Sequence, residues 1–181
     1  AVLLEKMPFL GGAGLFPEGS LGIGTRYQKE NGITTTVDQV FSKVMEFHHW
    51  RCNAPAIRAL LNESGEMIDW LTDLGMTVRN IRTMFPPEKS LNVWHIFEGG
   101  GARLVKVMLQ HIRECGVPVL TNTPVKRLLI DGEGTVTGIK AQSADGAQLT
   151  VHAKAVIIAT GGFASNKEML RKWVPDISAP G

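Results

Sequence analysis

Residues 1–14 read AVLLEKMPFLGGAG, and the fold turns on how the first four are placed. Ala1, Val2, Leu3 and Leu4 form an uninterrupted apolar run that stops at Glu5 and Lys6. Such a run, without polar alternation, predicts a strand buried on both faces, as in parallel sheets covered by helices. A strand of that kind needs neighbours on both edges. The expectation is therefore a piece of a larger sheet, whose neighbouring strand is supplied by sequence upstream of Ala1.

Outward from this strand the chain is glycine-rich from Gly11 to Gly24, GGAGLFPEGSLGIG. Glycines in this density suit a backbone that needs positive φ or close approach to another group. A flexible surface loop is the plainer reading, but Leu15, Phe16, Leu21 and Ile23 argue against a polar, mobile linker.

The middle of the chain predicts helices. Thr36 and Gln39 match a capping box, and Val37, Val40, Phe41, Val44 and Met45 fall on one face of a helix over 36–50, which His48 continues. A second helix starts near Asn53, with Pro55 in its first turn and Ile57, Leu60 and Leu61 inward. A third runs from about Glu66 to Leu74 and stops at Gly75. Residues 76–98 are less regular: MTVRNI and LNVWHIF are strand candidates within them, with a turn forced at Pro86-Pro87. After Gly99-Gly100-Gly101 comes a helix over 103–115, then a short strand over 117–120.

VKRLLID, TVTGIKAQ and QLTVHA, separated by DGEG and ADGA, predict a three-stranded antiparallel meander. Ala155–Ile158 reads as a second buried parallel strand running into Ala159-Thr160-Gly161-Gly162. Ser165 and Glu168 match a capping box for a last helix that Pro175 halts.

Composition narrows the function. The chain has 181 residues, enough for one domain with a substantial core. Its net charge is +2 from 19 basic and 17 acidic side chains, and the basic ones are scattered. No nucleic-acid footprint or polybasic membrane patch results. The apolar runs are too short to span a bilayer. Cys52 and Cys115 show no metal spacing and read as two reduced core thiols, with a single disulfide left open. The expected compartment is the cytoplasm, with an upstream targeting signal left open. His48, His49, His111 and His152 read as structural. His95, in an irregular stretch near glycines, is read so first as well. Neither a catalytic residue nor a metal ligand is assigned.

Two features carry chemistry. An acid ending a parallel strand, Glu5, can accept from both hydroxyls of an adenosine ribose, although many strands end in a solvated Glu. VIIATGGF runs a strand into small residues whose backbone can lie against a ligand, or simply make a tight turn. In addition, a meander replaces a helix as the crossover between the two expected parallel strands.

EKMPFLGGAG, IDWLTDLGM, GGGARLV, TPVKRLLIDGEGTVTGI and AVIIATGGFASN together resemble the flavoproteins of the fumarate reductase and succinate dehydrogenase family. The likeness runs the length of the chain. It is nearest the soluble flavocytochrome-type fumarate reductases, 3-ketosteroid dehydrogenases and urocanate reductases. The resemblance implies an α/β fold: a partial Rossmann-like FAD-binding domain with a parallel sheet, the meander and a helical insertion. It implies FAD as cofactor, with Glu5 at the adenosine ribose and Lys6 among the cofactor-binding residues. Gly12, Ala13, Gly14, Gly19 and Ser20 would follow the pyrophosphate and flavin. Val125 would touch adenine through its main chain, unless it is an ordinary alternating strand residue. Ala159, Thr160 and Gly161 would pack beside the adenosine half. Gly19-Ser20 stands where the family usually has Gly-Gly. With no His between Met7 and Arg26, the flavin would be held non-covalently.

The family's GxGxxG turn and substrate-clamping domain would lie outside residues 1–181. The parent activity implied is hydride exchange between flavin and a C=C bond beside a carbonyl, on an unsaturated acid or an enone. A non-catalytic fragment that binds no flavin is one rival, and a natural short protein that uses the remaining half-sheet to bind a partner is a second; the exposed edge of residues 1–4 would favour pairing, as in a dimer through that edge.

Overall fold

Strand β1 (Leu3–Leu4) lies parallel to β5 (Val119–Leu120), with Leu3 opposite Val119 and Leu4 opposite Leu120. The structure is a computed structural model that describes residues 1–84 and 91–174. The expected buried run is thus shorter: Ala1 is exposed, and Val2, Leu3 and Leu4 are half-buried. Among the described residues β1 has one strand neighbour, so one of its edges carries no ladder.

The chain divides into two units, one built from residues 1–2 and 13–118 and the other from 3–12 and 119–181. The first holds an antiparallel sheet in the order β2 (Gly19–Leu21), β4 (Asn92–Phe97), β3 (Val78–Thr83). Among the described residues it also holds four α-helices: α1 (Arg26–Glu30), α2 (Val37–Phe47), α3 (Ala54–Asp73) and α4 (Gly100–Glu114). The expected Pro86-Pro87 turn lies outside the described residues.

Thr36 caps α2 as the sequence predicts: its side chain accepts from Gln39 N–H while the Gln39 side chain accepts from Thr36 N–H. The helix ends at Phe47, not Trp50, because His49 and Trp50 take left-handed backbone angles of φ 50° and 59°. His48 is the C-cap residue and is exposed, so it does not continue the apolar face.

The two helices expected over 53–74 are one helix, α3, capped by Asn53 with Pro in its first turn. Gly65 does not break it. A Cβ at Gly65 would overlap the carbonyl oxygen of Ile23, so this glycine lets the helix lie directly against the loop backbone. Leu61, Ile68 and Leu71 point inward, whereas Leu60 is exposed. α4 starts three residues before the expected Arg103, because Gly99 at φ 72° turns the chain into it, a geometry L-residues seldom adopt.

Two apolar clusters hold this unit. Ile23, Val40, Leu61 and Val93 form one, and Ile68, Leu71, Met76, Phe97 and Val107 the other. Each such side chain, wholly buried, contributes about 1.5–3 kcal/mol. Both cysteines are free, and Cys115 is exposed rather than in the core.

The second unit contains the β1–β5 pair and the expected meander, β6 (Val125–Ile130), β7 (Val136–Gln142) and β8 (Gln148–His152). Its pairing is antiparallel, with Ile139 between Leu128 and Val151. Asp131 makes the first turn: its Oδ1 accepts from the N–H groups of Glu133 and Thr135, each at 2.9 Å.

Two expectations fail here. Residues 155–158 form no strand: Ile157 is 92% and Ile158 65% exposed. A strand exists through its ladder, and among the described residues nothing pairs with this segment. The last helix, α5 (Lys167–Trp173), is capped by Asn166 rather than Ser165, since Asn166 Oδ1 reaches Met169 N–H at 3.0 Å. Pro175 lies outside the described residues.

Candidate functional site

Glu5 directly follows β1 and is tied down on three sides. Its N–H donates to Leu120 C=O at 2.9 Å, and its C=O accepts from Thr123 N–H at 2.8 Å. Its Oε1 accepts from Met7 N–H at 2.8 Å. Among the described residues Oε2 takes no protein donor. The half-buried carboxylate is therefore fixed at the carboxyl end of a parallel pair, where open α/β sheets bind ligands.

Lys6, the next residue, lines a groove of about 630 Å³ with Thr160, Gly161, Phe163, Ser165 and Lys167. Lys6 and Lys167 bring two positive charges to a groove otherwise lined mostly by small residues, a combination that can meet a phosphate. Taken singly, these residues fit parts of a dinucleotide: the Glu5 carboxylate can accept from ribose hydroxyls and the lysines can meet a phosphate, although Glu5 itself does not line the groove.

Of the predicted residues, Lys6, Thr160 and Gly161 meet in this groove. Ala159 precedes Thr160 and is exposed. Gly12 is exposed at the start of one turn of 3₁₀ helix, Gly12–Leu15, and is not among the groove's lining. Val125 opens β6 opposite Ala141, is 45% exposed, and does not line the groove either.

The remaining predicted residues belong to the first unit. Ala13 and Gly14 are exposed, and a Cβ at Gly14 would meet nothing within 4 Å. Gly19 is different. It is buried in β2, and a Cβ there would overlap the carbonyl oxygen of His95 on β4. Strand packing alone thus accounts for Gly19, while Gly14 is left open to a ligand. Ser20 is half-buried, in register with His95.

His95 is not in an irregular stretch; it sits in β4 and is wholly buried. Its Nδ1 lies 3.1 Å from Val93 C=O and its Nε2 2.9 Å from Thr25 Oγ1. A carbonyl only accepts, so Nδ1 carries the hydrogen and neutral Nε2 accepts from the Thr25 hydroxyl. Thr25 Oγ1 in turn accepts from Gln28 N–H at 3.1 Å, and Gln28 Nε2 donates to Asn92 C=O at 2.8 Å. Sequence reading missed this group, although Thr25-x-x-Gln28 has the same capping pattern as Thr36-x-x-Gln39.

Burial pushes the His95 imidazole below its ordinary value of 6.5, with the Val93 carbonyl and the charge of Asp69 opposing. The unfolded chain then binds more protons than the folded one near and below pH 6.5, so stability rises with pH there. The unfolding midpoint of the wild type is expected to fall as pH drops through 6.5, and less steeply for His95→Gln. Equal slopes in urea titrations at several pH values would contradict this.

His111 donates from Nε2 to Leu74 C=O at 3.0 Å, and its Nδ1 lies 3.0 Å from Glu114. His48, His49 and His152 are exposed. Among the described residues no cluster of His, Cys, Asp and Glu could hold a metal ion, and no helix is long and apolar enough to cross a membrane.

Comparison with known proteins extends over nearly the whole chain. The family described as "FAD binding domain" matches residues 1–179. A vinyl phenol reductase from Lactiplantibacillus plantarum is 30% identical over 173 residues, covering 94% of this chain and 34% of that protein. A fumarate reductase (cytochrome) from Shewanella frigidimarina is 32% identical over 181 residues, covering 97% of this chain and 31% of that protein. The open conformation of a flavocytochrome c3 fumarate reductase superposes with a TM-score of 0.86 at 22% identity, over 98% of this chain and 32% of that one. The chain thus spans about a third of the length of these proteins.

Proposed function

Since the chain belongs to the FAD binding domain family, whose cofactor is FAD, we propose that it forms part of an oxidoreductase that reduces, or forms, a C=C bond on a small substrate. The observation that carries the site is Glu5, held by three hydrogen bonds at a parallel strand end with, among the described residues, one carboxylate oxygen free of protein donors, and directly preceding Lys6 of the Lys6–Thr160–Lys167 groove.

In this reading Glu5 accepts from the ribose hydroxyls, and Lys6, Thr160 and Gly161 hold the adenosine half with Ala159. The main chain of Val125 borders adenine. Gly12, Ala13 and Gly14 present backbone N–H groups to the pyrophosphate, and Gly19 and Ser20 lie along the flavin. When bound, FAD supplies the hydride chemistry. The residues of this chain bind and orient it, non-covalently.

The phosphate-gripping GxGxxG turn and the substrate-clamping groups are proposed to come from sequence beyond residues 1–181, which contain no GxGxxG. The exposed Ile157 and Ile158 and the unladdered edge of β1 support this, since a further strand laid there would cover both. The compartment proposed is the cytoplasm.

An unsaturated acid such as fumarate is the first substrate class proposed, and a ketosteroid or other enone the second. The likeness to a vinyl phenol reductase favours adding a carbonyl-free vinyl arene to these. The test is a panel of fumarate, urocanate, a 3-ketosteroid and a vinyl phenol, given to the intact gene product with reduced viologen, or with a dye acceptor for the reverse direction. Turnover of one class at least tenfold over the rest is expected. A flavin-loaded preparation inert toward all four would overturn the activity.

A further inference from the structure

We propose that His95 is a positioning residue that pins the register of β2 and so sets where Gly19 and Ser20 stand against the flavin. This rests on the placement of those two residues proposed above.

Among the described residues β2 is an edge strand of three residues with β4 as its sole strand neighbour. So short an edge has little of its own to fix its register, and a slip by one residue would turn each side chain to the other face. His95 supplies what the strand lacks. Its backbone is the register partner of Ser20, and Gly22 N–H donates to Val93 C=O at 2.9 Å just beyond the strand end.

The ring then locks this end sideways. A Cβ at Gly22 would come 3.0 Å from His95 Cε1 and 2.6 Å from Ile68 Cγ1, so the imidazole occupies the space the glycine leaves. Three residues after Gly22, Thr25 Oγ1 donates to Nε2, tying the start of α1 to the same ring. A chain of three bonds runs through the ring, from Gln28 N–H to Thr25 Oγ1, Thr25 O–H to His95 Nε2 and His95 Nδ1–H to Val93 C=O, while Thr25 N–H donates back to Gln28 Oε1 at 3.1 Å. A leucine would fill the volume and bury no polar atom. A fully satisfied polar group costs desolvation and returns a single allowed geometry. Gln28 adds a strut from α1 to the Asn92 carbonyl at the start of β4. Tyr27 closes the ring's edge with centroids 6.4 Å apart.

The experiment uses the intact gene product loaded with FAD, with His95→Leu and His95→Gln read by flavin stoichiometry, the shape and position of the visible flavin band, and kcat against KM. His95→Leu is expected to keep one flavin per chain, since Glu5 and its groove are untouched, but to shift the flavin band. It is also expected to lower kcat at least tenfold with KM little changed. His95→Gln, whose side-chain oxygen can accept from Thr25, is expected to recover most of both. A His95→Leu protein that is less stable but has a wild-type band and kcat would overturn the proposal, leaving His95 a packing residue. If His95→Leu does not fold, Thr25→Ala and Thr25→Ser decide: Ala must shift the band and Ser must not, and equal bands overturn it. Wild-type protein without flavin would instead defeat the FAD reading itself, before any variant is compared.

Discussion

Glu5→Gln is expected to weaken FAD binding by about 10- to 150-fold while leaving the fold intact. A hydrogen bond to a charged acceptor contributes about 1.5–3 kcal/mol, and each 1.4 kcal/mol is tenfold in affinity. The glutamine keeps an oxygen for the 2.8 Å bond from Met7 N–H, so the turn after β1 survives. The backbone bonds of residue 5 to Leu120 and Thr123 do not involve the side chain. What changes is the second carboxylate oxygen, which faces no protein donor among the described residues. Titrating apoprotein with FAD and following flavin fluorescence measures the loss, and urea melts of the apoprotein check the fold. Affinity within threefold of wild type would remove Glu5 from the site.

Gly19→Val is expected to destabilise the protein by about 3 kcal/mol or more, the upper range for overpacking, because its Cβ would overlap the His95 carbonyl and backbone cannot swing aside. Gly14→Ala provides the contrast. Its methyl group enters open space, so stability should change by no more than about 0.5 kcal/mol, as for ordinary surface positions. Any loss of FAD affinity in Gly14→Ala then reports the ligand and not the fold. Denaturant melts of both variants separate the two roles that glycines of one glycine-rich stretch can play. Equal stability losses would contradict the assignment.

Local pattern was enough for much of this molecule. The three strands of the meander alternate and are punctuated by DGEG and ADGA, so β6, β7 and β8 could be read where they stand. Thr36 with Gln39 announced α2, and Asn53 with Pro55 announced α3. Tertiary contacts decided the rest. The Ser64-Gly65 region reads as a helix boundary until Ile23 C=O is seen to need the missing Cβ. β2 is hidden in a glycine-rich stretch, since a three-residue edge strand has no period of its own. Ala155–Ile158 has the composition of a buried strand but, among the described residues, no partner to make it one.

For the site, the acid after an apolar strand and the ATGG turn were legible as chemistry, and Lys6, Thr160 and Gly161 do share a groove. Whether a glycine serves a ligand or a neighbouring strand was not legible: Gly14 and Gly19 look alike in sequence and differ only in what stands beside them. His95 was missed as part of a buried network because its partners, Thr25 and Gln28, lie about 70 residues away and meet it only through the pairing of β2 with β4.

The most direct measurement is the flavin content of the purified intact gene product, read in the visible flavin band before and after acid precipitation. One FAD per chain, all of it released into the acid supernatant, is the predicted result. A colourless protein that gains no flavin on titration, or a flavin that stays with the precipitate, would contradict the account.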